Sequence, residues 1–307
     1  GDTVYVSNGT YVENINYNNK DLYLLGENKD STIIDGNQNS NVVVMNGSSV
    51  LDGFTVQNGE RGVDVTNSSN SNDSCYIINS NFYNNVLIGW GAGIRAKNTT
   101  TIDNCYFENN SNNMVGGSYS GSAIYGGIIS NCKFIENGQR AVGQFESINN
   151  CLFVGNGPRA LMPTGNPANN LTFIDNGPNP IQNTTPSEIN NIIFINGNTT
   201  YTFDNLDTLS INYSNIENGQ ATISNITNLN WGAGNIDSAP QFTDSANGNY
   251  NLVPGSPGVD AGNPDLNGNG IPWQNDPEDQ DPDGTRMDMG YGYAAQGPVV
   301  NFSSPII

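Results

Sequence analysis

The chain has 307 residues, of which 35% are apolar and 12% charged, and its formal net charge is −20. Nucleic acids and anionic membranes bind through clustered Lys and Arg, so this balance argues against both as partners. The sequence contains no histidine. This excludes a Ser-His-Asp or Cys-His enzyme and removes the commonest zinc ligand. No apolar run is long enough to insert across a bilayer.

From the N-terminus onward the chain alternates short apolar-polar stretches with Asn and Gly turns. One unit recurs, as VLDGFTVQNG at Val50, TIDNCYFENN at Thr101 and ISNCKFIENG at Ile129. A unit of this length cannot bury its own apolar face, so it predicts stacked coils of short parallel strands. The apolar anchors recur roughly 19 to 27 residues apart, at Val56, Phe82, Phe107, Phe134, Phe153, Phe173, Phe194 and Ile216.

Stacking places equivalent positions of each unit in one column. The phenylalanine anchors are predicted to form an interior stack beside a column of Cys105, Cys132 and Cys151, and an asparagine ladder is expected at the bend before them. That ladder comprises Asn104, Asn131, Asn150, Asn170 and Asn191. The column cysteines could sit close enough for a disulfide, or they could be small buried side chains.

The opening GDTVYVSNGTYVENINYNNKDLYLLGENKDSTIIDG and the following LDGFTVQNG resemble the first coils of secreted right-handed parallel β-helix proteins of the pectate-lyase-like superfamily. The resemblance implies an all-β fold: a single right-handed parallel β-helix of roughly ten coils over residues 1–235. It also implies an extracellular or cell-surface location. It leaves activity open, because the superfamily holds lyases, hydrolases, esterases, adhesins, tailspikes and inert surface proteins.

After about residue 235 the repeat fades, and GSPGVDAG and DPDGTRMDMG resemble the C-terminal cap of secreted bacterial β-helix proteins. The cap is expected over residues 236–296. DLNGNG has the alternating oxygen spacing of the first half of a calcium loop. The candidate ligands for Ca²⁺ are Asp265, Asn267, Asn269, Asp276, Asp281 and Asp283. The alternative is a solvated acidic loop in which Arg286 pairs with an aspartate.

The last residues, 297–307, turn apolar again in GPVVNFSSPII. They could form an edge strand, a linker or an arm that pairs with a second copy of the chain.

The resembled lyases set calcium-binding acids beside a basic residue that abstracts a proton next to a uronate carboxylate. Here the strand after each Asn-Gly turn predicts an outward column that includes Asp64, Arg95 and Tyr125, with Lys97 on the same face. In a lyase, Arg95 or Lys97 would be the base and Asp64 would lie near calcium, with Trp90 and SNNMVGGSYSG as walls. The alternative is that these charges are solvated and break up a flat strand face.

The acids gather in the cap, far along the chain from Arg95, and no acid column accompanies Arg95. The sequence therefore favours a non-catalytic extracellular structural or surface protein, such as an adhesin or a coat or filament subunit. Its expected partners are surface glycans or further copies of itself. The alternative is a calcium-dependent polysaccharide lyase acting on a polyuronate.

Overall fold

Short parallel strands wind into a solenoid of about nine turns. The computed structural model describes residues 1–65, 73–112, 121–163, 165–177, 179–182, 187–195 and 201–294, with only the backbone for 187, 201–207 and 225. These residues form no α-helix; four 3₁₀ turns occur, at Gly219–Thr222, Ser245–Asn247, Trp273–Asn275 and Pro277–Asp279. No helix long and apolar enough to cross a membrane was found among them.

The strands are two to twelve residues long and are separated by Asn- and Gly-rich bends. In the first half they are β1 (Asp2–Val6), β2 (Gly9–Val12), β3 (Ile15–Asn16), β4 (Leu22–Gly26), β5 (Thr32–Asp35), β6 (Asn41–Val44), β7 (Val50–Asp52), β8 (Thr55–Gln57), β9 (Arg61–Asp64), β10 (Tyr76–Ile78), β11 (Asn81–Tyr83), β12 (Val86–Leu87), β13 (Ile94–Arg95), β14 (Thr101–Asp103), β15 (Tyr106–Glu108) and β16 (Ser111–Asn112). The remaining strands are β17 (Ile124–Tyr125), β18 (Ile128–Ser130), β19 (Lys133–Ile135), β20 (Val142–Gly143), β21 (Ser147–Val154), β22 (Leu161–Met162), β23 (Ala168–Ile174), β24 (Ser187–Ile195), β25 (Tyr201–Asn212), β26 (Asn215–Ile216), β27 (Ile223–Trp231), β28 (Phe242–Asp244) and β29 (Asn249–Leu252).

Successive turns pair in three parallel stacks. The first runs through β1, β4, β7, β10, β14 and β18 into the N-terminal halves of β21, β23 and β24, then β25 and β27. The second runs through β2, β5, β8, β11, β15 and β19 into the C-terminal halves of β21, β23 and β24, then β26. The third contains β3, β6, β9, β13, β17, β20 and β22.

The predicted interior stack is confirmed by the register of the second stack. Val56 pairs with Phe82, and the column continues without a shift to Phe194 and Ile216. The rings of Phe82, Phe107, Phe134, Phe153, Phe173 and Phe194 lie face to face with centroids 4.7–5.1 Å apart. This spacing is the inter-strand distance of a sheet, so each turn adds one ring to the core.

The four cysteines, Cys75, Cys105, Cys132 and Cys151, are buried and free, as the small-side-chain interpretation expects. Each thiol donates to a backbone carbonyl oxygen; that of Cys132 reaches Ser130 at 3.0 Å. Burial raises the pKa of the Cys105 and Cys132 thiols well above the usual value. They therefore pack as small apolar groups with a weak donor.

The predicted asparagine ladder lies at the bend between the first and second stacks. Its five members all have φ between 50° and 56°, the left-handed conformation that asparagine tolerates. Amide groups bond along the column, with Asn150 Nδ2 donating to Asn131 Oδ1 at 2.6 Å and Asn191 Nδ2 to Asn170 Oδ1 at 3.2 Å.

A second asparagine ladder lies inside the solenoid, at the turn after the second stack, where no ladder was predicted. It consists of Asn85, Asn110, Asn137, Asn156 and Asn176, all at most 3% exposed. Each Nδ2 donates to the Oδ1 of the next member at 3.0–3.2 Å, and the backbone N–H donates to the same oxygen. Each Nδ2 also donates to a backbone carbonyl of the preceding turn, such as that of Phe107 for Asn137. The ladder thus satisfies main-chain groups that the bend leaves without strand partners.

The C-terminal segment packs along the side of the solenoid, several turns back from β27. Gly290 N donates to the Asn191 carbonyl, Tyr291 N to Thr172 Oγ1 and Gly292 N to Asn150 Oδ1. Met289 and Leu252 form an apolar cluster with Ile193, whose side chain is on the outer face of β24. The segment therefore covers the outer face of β21, β23 and β24, in addition to following the last turn.

We expect Asn137→Ala to lower the free energy of unfolding by about 3 kcal/mol. The substitution removes the acceptor of the Asn110 backbone N–H and Nδ2, and it removes the Nδ2 donor to the Phe107 carbonyl. Chemical denaturation measures the change. The matched control is Asn39→Ala, at an exposed asparagine, which should change stability by under about 0.5 kcal/mol. Equal effects of the two substitutions would contradict a stabilising role for the inner ladder.

Candidate functional site

The predicted outward column exists in the third stack. Asp64 pairs with Arg95, Arg95 with Tyr125, Tyr125 with Gly143 and Gly143 with Met162. Its members are less exposed than predicted, since Asp64 is 1% exposed and Met162 is fully buried. Asp64 is buried because neighbouring polar side chains close over its carboxylate.

The Asp64 carboxylate receives two guanidinium groups. Arg95 donates from Nη2 to Oδ2 at 2.7 Å and from Nε to Oδ1 at 3.2 Å. Arg61 Nη1 donates to Oδ2 at 3.0 Å, and Asn41 Nδ2 reaches the same oxygen at 3.1 Å. The buried carboxylate is therefore enclosed by cationic and neutral donors.

Arg61 is itself buried. Its remaining donors reach the carbonyl oxygens of Gly91 at 3.0 Å and Trp90 at 3.1 Å. Burial lowers the pKa of Arg61, and the negative charge of Asp64 acts in the opposite direction. The side chain ties β9 to the turn before β13.

This arrangement differs from the environment that a lyase centre needs. A calcium ligand must present oxygen lone pairs to the ion, and both Asp64 oxygens accept from guanidinium groups. A base must present a lone pair to the substrate, and Arg95 donates with Nε and Nη2 into an ion pair. As it stands, the cluster cross-links three turns.

Aromatic groups lie beside the cluster. Trp90 stacks on Tyr125 with ring centroids 5.1 Å apart and planes 19° from parallel. The Tyr125 hydroxyl donates to Gln144 Oε1. Lys97 is half-buried two residues beyond Arg95. Most of SNNMVGGSYSG, predicted to wall this face, lies outside the described residues.

A second basic and aromatic group lines a cleft of about 360 Å³ on the outer face of the second stack. Lys133, Lys29 and Asp30 are its charged lining residues among those described, and the others include Tyr83, Tyr106 and Tyr291. Lys133 Nζ lies 5.7 Å from the Tyr291 ring centroid. Tyr291 belongs to the C-terminal segment, so the cleft forms where that segment meets the turns.

Both the strand register and the covering segment position Lys133. Its outward column continues through Leu152, Thr172 and Ile193, which are fully buried under the C-terminal segment. Lys133 is the first position beyond that cover. Burial lowers its pKa, and the charge of Lys29 acts in the same direction. This lysine is visible in the motif NCKFIENG, but the predicted groove followed only the column of strands after each Asn-Gly turn.

A larger concavity of about 640 Å³ is lined by Val86, Leu87 and Ile88 with Asn84, Gln38, Gly59 and Glu60. Glu60 is the one charged residue among the described residues that line it, and they offer neither an acid-base pair nor a cation for a carboxylate.

The cap brings four predicted calcium ligands together in one loop. Asn269 Nδ2 and Asn267 Nδ2 donate to Asp276 Oδ2 at 2.6 and 3.1 Å. Gly270 N donates to both oxygens of Asp265 at 3.2 Å. The pKa of Asp276 is lowered by the Glu278 backbone N–H and then by the two amides.

Asp279 enters this loop although it was not among the predicted ligands. It is fully buried, and its Oδ1 accepts from Leu266 N at 2.8 Å. Its Oδ2 has no hydrogen-bond partner among the described residues. Burial raises the pKa of Asp279, and the charges of Asp276 and Asp265 add to the increase.

The predicted ligand Asp281 belongs to a second acidic group. Oxygens of Asp281, Asp288 and Asp260 all lie within 4.8 Å of one another. Burial raises the pKa of Asp281 to about 8, with further increases from a hydrogen bond to Asp283 and from the charge of Asp288. Burial also raises the pKa of Asp288 to about 6. Asp260 and Asp288 were not among the predicted ligands, although GVDAG and MDMG each place an aspartate two residues before a glycine in an apolar stretch.

No protein-family model and no curated protein sequence matches this chain. Among solved structures it is similar to the pectin methylesterase from Yersinia enterocolitica, with 14% identity over 74% of this chain and 76% of that chain. The TM-score is 0.27. The parallel β-solenoid class therefore rests on the strand register given above.

We expect Asp64→Asn to lower the free energy of unfolding by about 3 kcal/mol, because it leaves the buried guanidinium of Arg61 without its counter-ion. Arg95→Gln should cost about 1 kcal/mol, since that side chain is 29% exposed. Denaturant unfolding compares both with Asp2→Asn, at an exposed carboxylate in β1. A loss for Arg95→Gln as large as that for Asp64→Asn would refute the cross-linking role of Arg61.

Proposed function

We propose that this protein is a non-catalytic structural component of an extracellular or cell-surface assembly, such as an adhesin or a coat or filament subunit. The observation that carries the proposal is the state of the Arg61–Asp64–Arg95 cluster. Two of the residues that lyase chemistry would use on that face, Asp64 and Arg95, are bonded to each other.

The shape and composition support the same role. About nine turns at roughly 4.8 Å each make a stiff rod on the order of 45 Å long. Only 9 of 307 residues are Lys or Arg, which leaves few sites for trypsin-like proteases in an extracellular setting. The apolar tail at 297–307, outside the described residues, is a proposed contact for self-association.

We place the proposed glycan contact in the Lys29–Lys133 cleft rather than beside Arg95. The cleft holds two ammonium groups against the one carboxylate of Asp30, and this excess of positive charge with three tyrosine rings suits a carboxylate-bearing sugar. The charges would bind the carboxylate and the rings would pack against the sugar faces. Arg95 is committed to Asp64, whereas Lys133 has a ring contact and no ion pair among the described residues.

A polysaccharide lyase is the second candidate, and one observation favours it at this cleft. Burial and the neighbouring Lys29 lower the pKa of Lys133, which is the direction that a lysine base requires. Tyr106 stands beside it and donates its hydroxyl to Glu108 at 3.0 Å. In this second candidate function the base is Lys133, not Arg95 or Lys97.

We expect no cleavage of a polyuronate panel, including polygalacturonate and alginate, with calcium present. Ultraviolet absorbance of the unsaturated product measures cleavage for the parent chain, Arg95→Ala, Lys97→Ala and Lys133→Ala. Product that is lost in any one of these folded variants, and retained by the exposed-lysine control Lys20→Ala, would replace the structural proposal with a lyase.

We expect acidic oligosaccharides to bind the parent chain and to bind Lys133→Ala about tenfold more weakly. Titration calorimetry at two salt concentrations measures the affinity. Lys20→Ala should bind like the parent, because that lysine is exposed and outside the cleft. Equal affinity of Lys133→Ala and the parent would remove the glycan contact from this cleft.

A further inference from the structure

Three aspartates of the C-terminal segment converge, and two of them, Asp281 and Asp288, are buried. Among the described residues, Arg286 interacts electrostatically with Asp260, the more exposed member. Asp281 is 6% exposed and Asp288 fully buried, and their ligand oxygens and those of Asp260 lie within 4.8 Å of one another. Like charges at this separation repel strongly where little water screens them.

Three oxygens of the group accept hydrogen bonds from described donors. Asp288 Oδ1 accepts from Asp260 N and Oδ2 from Ala294 N, both at 2.8 Å. Asp281 Oδ1 accepts from Thr285 Oγ1 and Asp283 N at 3.3 Å. Asp281 Oδ2 is buried and has no hydrogen-bond partner in the part of the chain that the structure describes. A buried, unpartnered carboxylate oxygen beside two further carboxylates requires a proton or a cation.

We propose that Asp260, Asp281 and Asp288 hold a divalent cation, with Ca²⁺ as the matching ion. Two oxygens that share one Ca²⁺ at roughly 2.3–2.6 Å lie at most about 5 Å apart, which the measured convergence satisfies. Calcium accepts irregular sets of carboxylate oxygens from loops, whereas Mg²⁺ demands a near-ideal octahedron. The ion neutralises the group and joins the segment after Val259 to the segments around Asp281 and Asp288.

The full chain, stripped of metal with a chelator, tests this by calorimetric titration with Ca²⁺ and by thermal unfolding. We expect binding, and a rise in Tm of about 5 °C at saturating calcium. Asp281→Asn should fold and unfold at or above the Tm of the metal-free parent, because it removes a repelling charge. Its calcium-dependent rise should be smaller than that of the parent, because the contribution of this site is lost. The exposed-site control Asp2→Asn should keep the full rise of the parent.

Terbium luminescence locates the ion independently. Burial raises the pKa of Tyr293, and the charges of the neighbouring Asp281 and Asp288 add to the increase. Terbium bound there should be sensitised by Tyr293 and displaced by Ca²⁺, and Tyr293→Phe should lose the signal while retaining calcium binding. No heat and no Tm shift at millimolar Ca²⁺, or an unchanged response in Asp281→Asn, would overturn the proposal. None of these readouts depends on glycan binding or on catalysis.

A different observation carries a second cation site in the preceding loop. Asp265, Asn267 and Asn269 occupy alternate positions, Gly270 follows with φ 75°, and Asp276 is the twelfth residue from Asp265. This is the spacing of a twelve-residue calcium loop, with aspartate in the place of the final glutamate. The independent sign is Asp279 Oδ2, which is fully buried, unpartnered and beside the charges of Asp265 and Asp276.

The same titration separates the two sites. The parent should bind two calcium ions, and Asp279→Asn and Asp281→Asn should each lose one. Terbium in the loop should be sensitised by Trp273, which lies between the predicted ligands, and Trp273→Phe should remove that signal alone. One equivalent in the parent that survives Asp279→Asn would overturn the loop site and leave the Asp281 site standing.

Discussion

The solenoid depends on satisfying the main-chain groups of its bends. Strands pair between turns, but each bend brings peptide groups into the interior without strand partners. The inner ladder solves this with one residue per turn, because an asparagine offers two donors and an acceptor in a fixed plane. Asn137, for example, accepts from Asn110 and donates to Asn156 and to the Phe107 carbonyl. Since every member is both donor and acceptor, the column is cooperative along the axis.

The structure handles buried negative charge in two contrasting ways. Asp64 is nearly inaccessible to water and is enclosed by Arg61 and Arg95, so its charge is compensated within the chain. Asp279 and Asp281 are equally hidden, yet each keeps an oxygen with no donor. The Asp64 carboxylate therefore needs no further partner, whereas the carboxylates of Asp279 and Asp281 each need a proton or a cation.

The repeat could be predicted because each of its recurring residue types indicates one structural position. Phenylalanine at a period of about twenty residues has to be interior, and asparagine before cysteine marks a left-handed bend. The register of Val56 through Ile216 follows from those two signals. The inner ladder was visible in the same units, as the last asparagine of FENN, FIENG and FVGNG, but turn asparagines in a polar chain ordinarily face solvent.

The functional residues were harder to predict because their environment comes from a distant part of the chain. Period-two alternation showed that Asp64 and Arg95 share a column, and the register confirms it. Alternation could not show that Arg61 folds over them. Lys133 likewise becomes part of a cleft only because Tyr291, more than 150 residues later, returns to it.

The C-terminal segment connects the two proposed functions physically. Asp288, a ligand in the proposed cation centre, lies three residues before Tyr291, which forms one wall of the Lys133 cleft. Between them Gly290 and Tyr291 are fixed to Asn191 and Thr172 by backbone hydrogen bonds. A cation that binds Asp288 to Asp260 and Asp281 would restrict where this short stretch can move. Because only three residues separate Asp288 from Tyr291, a cation that fixes the position of Asp288 would also restrict the position of Tyr291 in the cleft wall.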